Sequence, residues 1–166
     1  MIKKKSKKVN GYFMLVIILS FFILQINCNK PGNSVKTNPE TVYYLVAERI
    51  PFHLDSYILP LSNPKDIAIA DNIINGTAPM QIVVTNIDYG SEEGQYINRD
   101  LLNPSKRKWS WHVTNFIGFA DAVVRNLDGW PTYVEDHLNR WMRNTEGRIG
   151  FATYTIIRRV NPSEME

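Results

Sequence analysis

The chain has 166 residues, 19 Lys+Arg against 16 Asp+Glu, and a single cysteine. One cysteine excludes an internal disulfide framework, and the length suits one ordinary domain. The formal charge of +3 misleads: residues 1–27 carry five Lys and no acid, so the remainder has 14 basic and 16 acidic residues, net −2, and no bulk charge is left to attract nucleic acid.

The first 28 residues read as an export signal. Lys3, Lys4, Lys5, Lys7 and Lys8 form a basic head, an apolar run over 12–24 is broken only by Ser20, and Gln25-Ile26-Asn27-Cys28 follows. These are the parts of a secretory signal, with the basic head retained on the cytoplasmic side. The run into Cys28 resembles a bacterial lipobox, whose cysteine is diacylated and becomes the new N-terminus. Asn27 stands where Gly, Ala or Ser is usual, and Gln25 where Leu is usual. An uncleaved signal-anchor helix and a simple cleaved secretory peptide are the alternatives, since 9–29 is uncharged and just long enough to span a bilayer. The lone cysteine favours the lipoprotein: a free thiol in an oxidising compartment is a liability, whereas here it ends the apolar run. Two or three acyl chains anchor stably, at ~0.8 kcal/mol per buried CH2. The expectation is a signal peptide over 1–27, export to the cell envelope, and a palmitate-type lipid on Cys28 as the membrane contact, at the outer membrane or the periplasmic face.

Residues 28–40, rich in Pro, Gly and Asn, read as a flexible tether. One α+β domain is expected over 41–160, and a frayed tail over 161–166. Strands are expected at 42–50 (VYYLVAERI) and 56–61 (SYILPL), the second at an edge because of Pro60. Asn63-Pro64 opens a helix with Ile67, Ala70, Ile73 and Ile74 as its apolar stripe, and Gly76 closes it. Asn75-Gly76-Thr77 matches a glycosylation acceptor but reads better as that helix end. A strand at 80–87 precedes a solvated interaction loop over 88–105. The run 109–114 (WSWHVT) alternates, with Trp109, Trp111 and Val113 on one face and His112 on the other. A further strand near 122–127, a helix from Pro131 to about 143 and a closing strand over 151–160 complete the reading. The fold class is α+β: one largely antiparallel sheet of about five to six strands with two helices packed on one face.

The Asn-Pro-Lys-Asp-Ile helix start, Trp109-Ser110-Trp111-His112 and Tyr133-Val134-Glu135-Asp136-His137-Leu138 together resemble the N-terminal domain family of the binding protein of seventy-four kilodaltons. The resemblance covers roughly 43–160. It implies a small exported domain and no established enzyme activity. Other members carry a Cys-Pro-Trp-type segment before the last strand, where this chain has Phe151-Ala152-Thr153-Tyr154.

His112 with Glu135 and Asp136 is the candidate catalytic set, a possible acid–base unit if the early turns of the helix meet the strand. A hydrogen bond pinning helix to sheet is the alternative role for the pair. His53, His112 and His137 show no metal-ligand spacing, so no metal or other cofactor is expected. Trp109, Trp111 and Trp141 read as core, while Trp130, Tyr133 and His112 are candidate binding residues, with a sugar or peptide as the kind of ligand an aromatic surface stacks. Lys106-Arg107-Lys108 reads as a solvated face able to touch anionic headgroups. The functional expectation is an exported, lipid-anchored binding module for an unidentified protein or small molecule. The alternative is a small envelope hydrolase with His112 as base and Glu135 as its orienting partner.

Overall fold

The computed structural model describes residues 40–94, 96–122 and 125–166. The expected signal, Cys28 and the tether up to residue 39 lie outside the described residues.

β1 (Val42–Glu48) and β2 (Ser56–Leu61) form an antiparallel hairpin with Leu45 opposite Ile58, both built from the β-branched and aromatic residues that suit a pleated surface. α1 (Pro64–Ile74) starts at Asn63, whose side chain accepts from the Lys65 N–H at 2.9 Å, and has Pro64 in its first turn. Its apolar stripe is the expected one: Ala70 and Ile73 are buried, with Ile67 and Ile74 packed beside them. Then come β3 (Ile82–Tyr89), β4 (Glu92–Glu93), β5 (Tyr96–Ile97), β6 (Trp111–Ala120), α2 (Pro131–Asp136), α3 (Leu138–Thr145), β7 (Arg148–Ile149) and β8 (Tyr154–Val160). Among the described residues no helix is long and apolar enough to cross a membrane.

The fold is α+β, but its strands do not make the single sheet of five to six strands expected from the sequence. They form three antiparallel sheets, ordered β2-β1-β8, β6-β3-β7 and β4-β5. β2 and β6 are outer strands of different sheets, and the segment between β3 and β6 lies between them. The β3–β6 ladder is also interrupted by two register shifts, at Val84/Thr85 and Asn86/Ile87, which bend and twist a pair of strands. Three helices stand in place of two, because the expected second helix breaks at His137 (φ −128°, ψ 24°). The strand expected near 122–127 is a 3-10 turn at Arg125–Leu127, where Leu127 alone is buried.

Both three-stranded sheets contribute to one core. Tyr44, Val46, Tyr57 and Leu59 meet Val83, Ile87, Trp111 and Val113 there. Alternation turns Leu45 and Ile58 the other way, into a second cluster with Tyr96, Val160 and Met165. The first sheet is therefore covered on both faces, which is why its strands read as apolar runs rather than alternating ones. The C-terminal residues do not fray. Met165 is buried, Asn161 and Glu164 form a capping box, and Arg158 pairs with Glu164 at 2.7 Å; the buried Met side chain offsets the entropy that frees most chain ends. Asp71 ties α1 to β8, accepting from Arg159 Nε at 2.9 Å and from the Tyr44 hydroxyl at 3.0 Å. The Arg159 bond holds the Asp71 carboxyl below its usual range, while burial and Asp71 push the Tyr44 hydroxyl up to about 12. The turn into β7 needs glycine at 147: φ is +74°, and a Cβ would lie 2.6 Å from the Ile87 carbonyl oxygen.

The segment expected to be a solvated loop over 88–105 instead stitches the sheets together. Asn98 is fully buried. Its Nδ2 donates to the Trp111 carbonyl at 2.9 Å and its Oδ1 accepts from the Ile58 N–H at 3.0 Å. The Tyr96 hydroxyl donates to the Val113 carbonyl at 3.0 Å and accepts from the Val113 N–H at 3.1 Å. Trp109 Nε1 donates to the Ser56 carbonyl at 2.9 Å. Ser56 and Ile58 thus turn their backbone polar groups toward the insertion. The next position on that side of β2 is Pro60, which has no N–H to leave unmet. Asn98→Ala orphans a buried N–H and a buried C=O, each costing about 1–3 kcal/mol. The expected loss of stability in urea unfolding is about 2–4 kcal/mol, and a loss below about 1 kcal/mol would remove the stitch from the structure's supports.

Candidate functional site

The residues singled out in the sequence fall into two places. His112 sits on β6 opposite Asp88, nearly buried. Its Nδ1–H donates to the Gly90 carbonyl at 2.9 Å, and its Nε2 lies 3.2 Å from Glu93 Oε2. Glu135 accepts from the Ser110 N–H at 2.9 Å and the Ser110 hydroxyl at 3.0 Å, with Arg107 Nη2 3.8 Å away. Glu135 therefore pins α2 to the strand through Ser110, and His112 is held by the β3–β4 turn and β4. The acid–base pair expected between His112 and Glu135 is not assembled. Asp136 is exposed and lines, with Glu135 and His137, a broad depression of about 570 Å³. Among the described residues, no three His, Cys, Asp or Glu side chains converge as a metal site.

Trp130 and Tyr133, in contrast, are brought together. Trp130 precedes α2 and Tyr133 lies in its first turn, with ring centroids 5.1 Å apart. Tyr133 stacks on His137 at 4.4 Å and meets Trp141 edge-on at 6.0 Å. These four rings line a cleft of about 300 Å³ with Asp128, Arg140 and Asn144. His112 does not line this cleft. Trp109, Trp111 and Trp141 are buried, as their core reading required. The indole of Trp141 also donates to the Arg148 carbonyl at 3.0 Å, which fixes the floor of the cleft.

The outer face of Trp130 is taken by His53, stacked at 4.2 Å and 12°. His53 belongs to the β1–β2 loop, and two buried carboxylates hold that loop. Glu48 Oε2 accepts from the Phe52 and His53 N–H groups, both at 2.7 Å, while its Oε1 meets His53 Nδ1 at 2.8 Å and the Thr153 hydroxyl at 3.0 Å. At the other end Asp55 accepts from the Thr132 N–H at 2.8 Å and from the Tyr154 hydroxyl. Burial, and then this bond, push the Tyr154 hydroxyl far up from its ordinary value. Between the carboxylates, Ile50, Phe52 and Leu54 are 78%, 82% and 64% exposed, and Leu54 has φ +56°, a left-handed conformation uncommon for a bulky residue.

Sequence reading missed Glu48, Asp55 and this loop. The strand expected over 42–50 ends at Glu48, so Ile50 was assigned to a sheet instead of to solvent. The available signal was three large apolar residues at alternate positions in a short strand connection, a place where polar turn residues are the norm.

An aromatic cleft beside a rigidly held apolar loop, on two packed antiparallel sheets, defines a small α+β domain of the interaction type. Residues 40–163 match the family model of the N-terminal domain of the binding protein of seventy-four kilodaltons. The chain belongs to that family, as its Trp-Ser-Trp-His and Tyr-Val-Glu-Asp-His-Leu segments implied. No curated protein and no solved structure matches the chain.

Burial raises the Glu48 carboxyl, but the hydrogen bonds from His53, Phe52 and Thr153 outweigh it and hold the group below its usual range. A carboxyl held low in the folded state contributes stability above its unfolded pKa, and that contribution is lost as pH falls through the folded pKa. Glu48→Gln is therefore expected to lower stability at pH 7 and to flatten the loss of stability on acidification below about pH 5. Denaturant unfolding across pH measures both, and parallel acid slopes for the two proteins would contradict it.

Proposed function

We propose that the protein is an exported binding module, anchored in the cell envelope through lipid on Cys28, which uses the Trp130–Tyr133 cleft to hold a small polar ligand with a flat face, a sugar above all. The observation that carries the ligand reading is the lining of the cleft. Trp130, Tyr133, His137 and Trp141 supply ring edges and faces, and Asp128, Arg140 and Asn144 supply hydrogen-bonding groups around them. Such a mixture of aromatic walls and a few converging polar groups is how concave sites orient small ligands, and about 300 Å³ lies at the small end of their size range. Export and anchoring are supported by the basic head, the apolar run and the position of the only cysteine. Binding is preferred over hydrolysis because His112 and Glu135 are engaged with separate partners.

Two measurements test this. A palmitate analogue fed to cells is expected to label the wild-type chain and not Cys28→Ala; no label, or label that survives the substitution, removes the anchor. Titration of the full chain with a panel of mono- and oligosaccharides, followed by tryptophan fluorescence, is expected to saturate, and Trp130→Ala is expected to weaken binding at least tenfold, about 1.4 kcal/mol. A flat titration across the panel would remove the sugar reading.

A further inference from the structure

The β1–β2 loop holds three large apolar side chains in solvent, and the surrounding structure works to keep them there. Glu48 fixes the backbone at Phe52 and His53, the Arg49 N–H donates to the Thr153 carbonyl at 3.1 Å, His53 is clamped on Trp130, and Leu54 adopts a left-handed conformation. A loop with nothing to contact would relax and bury these side chains. Beside it lies a separate cleft of about 320 Å³, walled by Ile50, Met80, Ile82 and Ala120, and Met80 is itself 46% exposed. Arg49 and Asp121 both line that cleft. Among the described residues neither has an ion-pair partner; Asp121 accepts only from Gln81 Nε2, at 3.0 Å.

A protruding apolar side chain, an apolar recess and two unpaired opposite charges thus share one patch. A patch that carries both halves of a contact is self-complementary, which is the requirement for a two-fold symmetric interface. We propose that this patch joins two copies of the chain, with Phe52 of each copy seated in the cleft of the other and Arg49 of each facing Asp121 of the other. The bilayer is the other surface that takes exposed apolar loops, but the chain disfavours it. Residues 1–39 join the domain at the Val42 end of β1, whereas the loop leaves from the Glu48 end, seven residues away, about 23 Å at strand rise. The loop therefore projects from the end of β1 opposite to the one where a membrane anchor is attached, and Asp121 on the patch rim is a charge that anionic headgroups repel.

The test uses the full chain in isolated membranes. Ile50→Cys, near the proposed two-fold axis, is expected to give an oxidant-induced crosslink at twice the monomer mass, well above the parent chain that carries Cys28 alone. Adding Phe52→Glu is expected to reduce the crosslink at least tenfold. Phe52 is exposed, so this variant is expected to keep the wild-type thermal midpoint, which separates loss of contact from loss of fold. Arg49→Asp is expected to weaken the crosslink, and Arg49→Asp with Asp121→Arg to restore it. A crosslink no stronger than the parent's, or one indifferent to Phe52→Glu, overturns the proposal. So does an environment-sensitive fluorophore on Ile50→Cys that reports burial in lipid, which would assign the loop to the bilayer.

Discussion

The arrangement of this domain depends on one buried primary amide. Two antiparallel sheets of three strands each end on an outer strand, β2 in one and β6 in the other, and an outer strand carries backbone donors and acceptors that must be met if the edge is buried. Asn98 meets one from each: its carbonyl takes the Ile58 N–H and its amino group serves the Trp111 carbonyl. In this geometry the side chain acts as a peptide unit inserted between two sheets. It is neutral, so it spans the gap without the desolvation cost of a buried charge, and its two ends are chemically distinct, so it fixes which edge lies on which side. The flanking Tyr96 and Trp109 repeat the pattern on the same edges. Everything that positions the cleft and the loop rests on this joint, because β1, β2 and β8 belong to one sheet and β3, β6 and β7 to the other.

Local signals in the sequence were sufficient for β1, β2 and α1. The residues that define these elements are near neighbours: Asn63 and Pro64 at the helix start, Gly76 after its end, and Pro60 marking β2 as an edge. The failures come from contacts between distant residues. Asn98 sits among glycines and charges, in a context that reads as loop, and nothing near it announces that it is buried. The α2–α3 break at His137 is invisible to periodicity because Val134, Leu138, Trp141 and Met142 keep a helical spacing straight through it. The His112–Glu135 pairing failed for a related reason. Ser110, two residues earlier on the strand, takes the Glu135 carboxylate instead, and a register with two bulges cannot be counted from one strand. Trp130 and Tyr133 were legible as a pair because three residues on a helix start bring them together; that His53 would stack on Trp130 required the fold.

The loop and the cleft are mechanically one unit. Glu48 and Asp55 stand at the two ends of the loop, His53 lies in its middle, and His53 is in contact with the ring that heads the aromatic cleft. Loosening either carboxylate would free His53 and with it one face of Trp130. The left-handed Leu54 stores of order 1–3 kcal/mol of backbone strain, held in place by the hydrogen bonds on both sides. Strain of this kind persists only where neighbouring interactions over-determine the backbone, and here the two carboxylates do so.

Pro60 has a consequence beyond the geometry of β2. On the side of the strand where Ser56 and Ile58 are already occupied by the insertion, the next donor position is blank. An incoming extended chain would have to begin its ladder at a residue that cannot donate, next to positions with nothing left to offer. For a protein concentrated on a surface, where neighbours collide in two dimensions, that missing hydrogen atom acts as a kinetic barrier to runaway strand addition, and it needs no charge and no additional chain to do so.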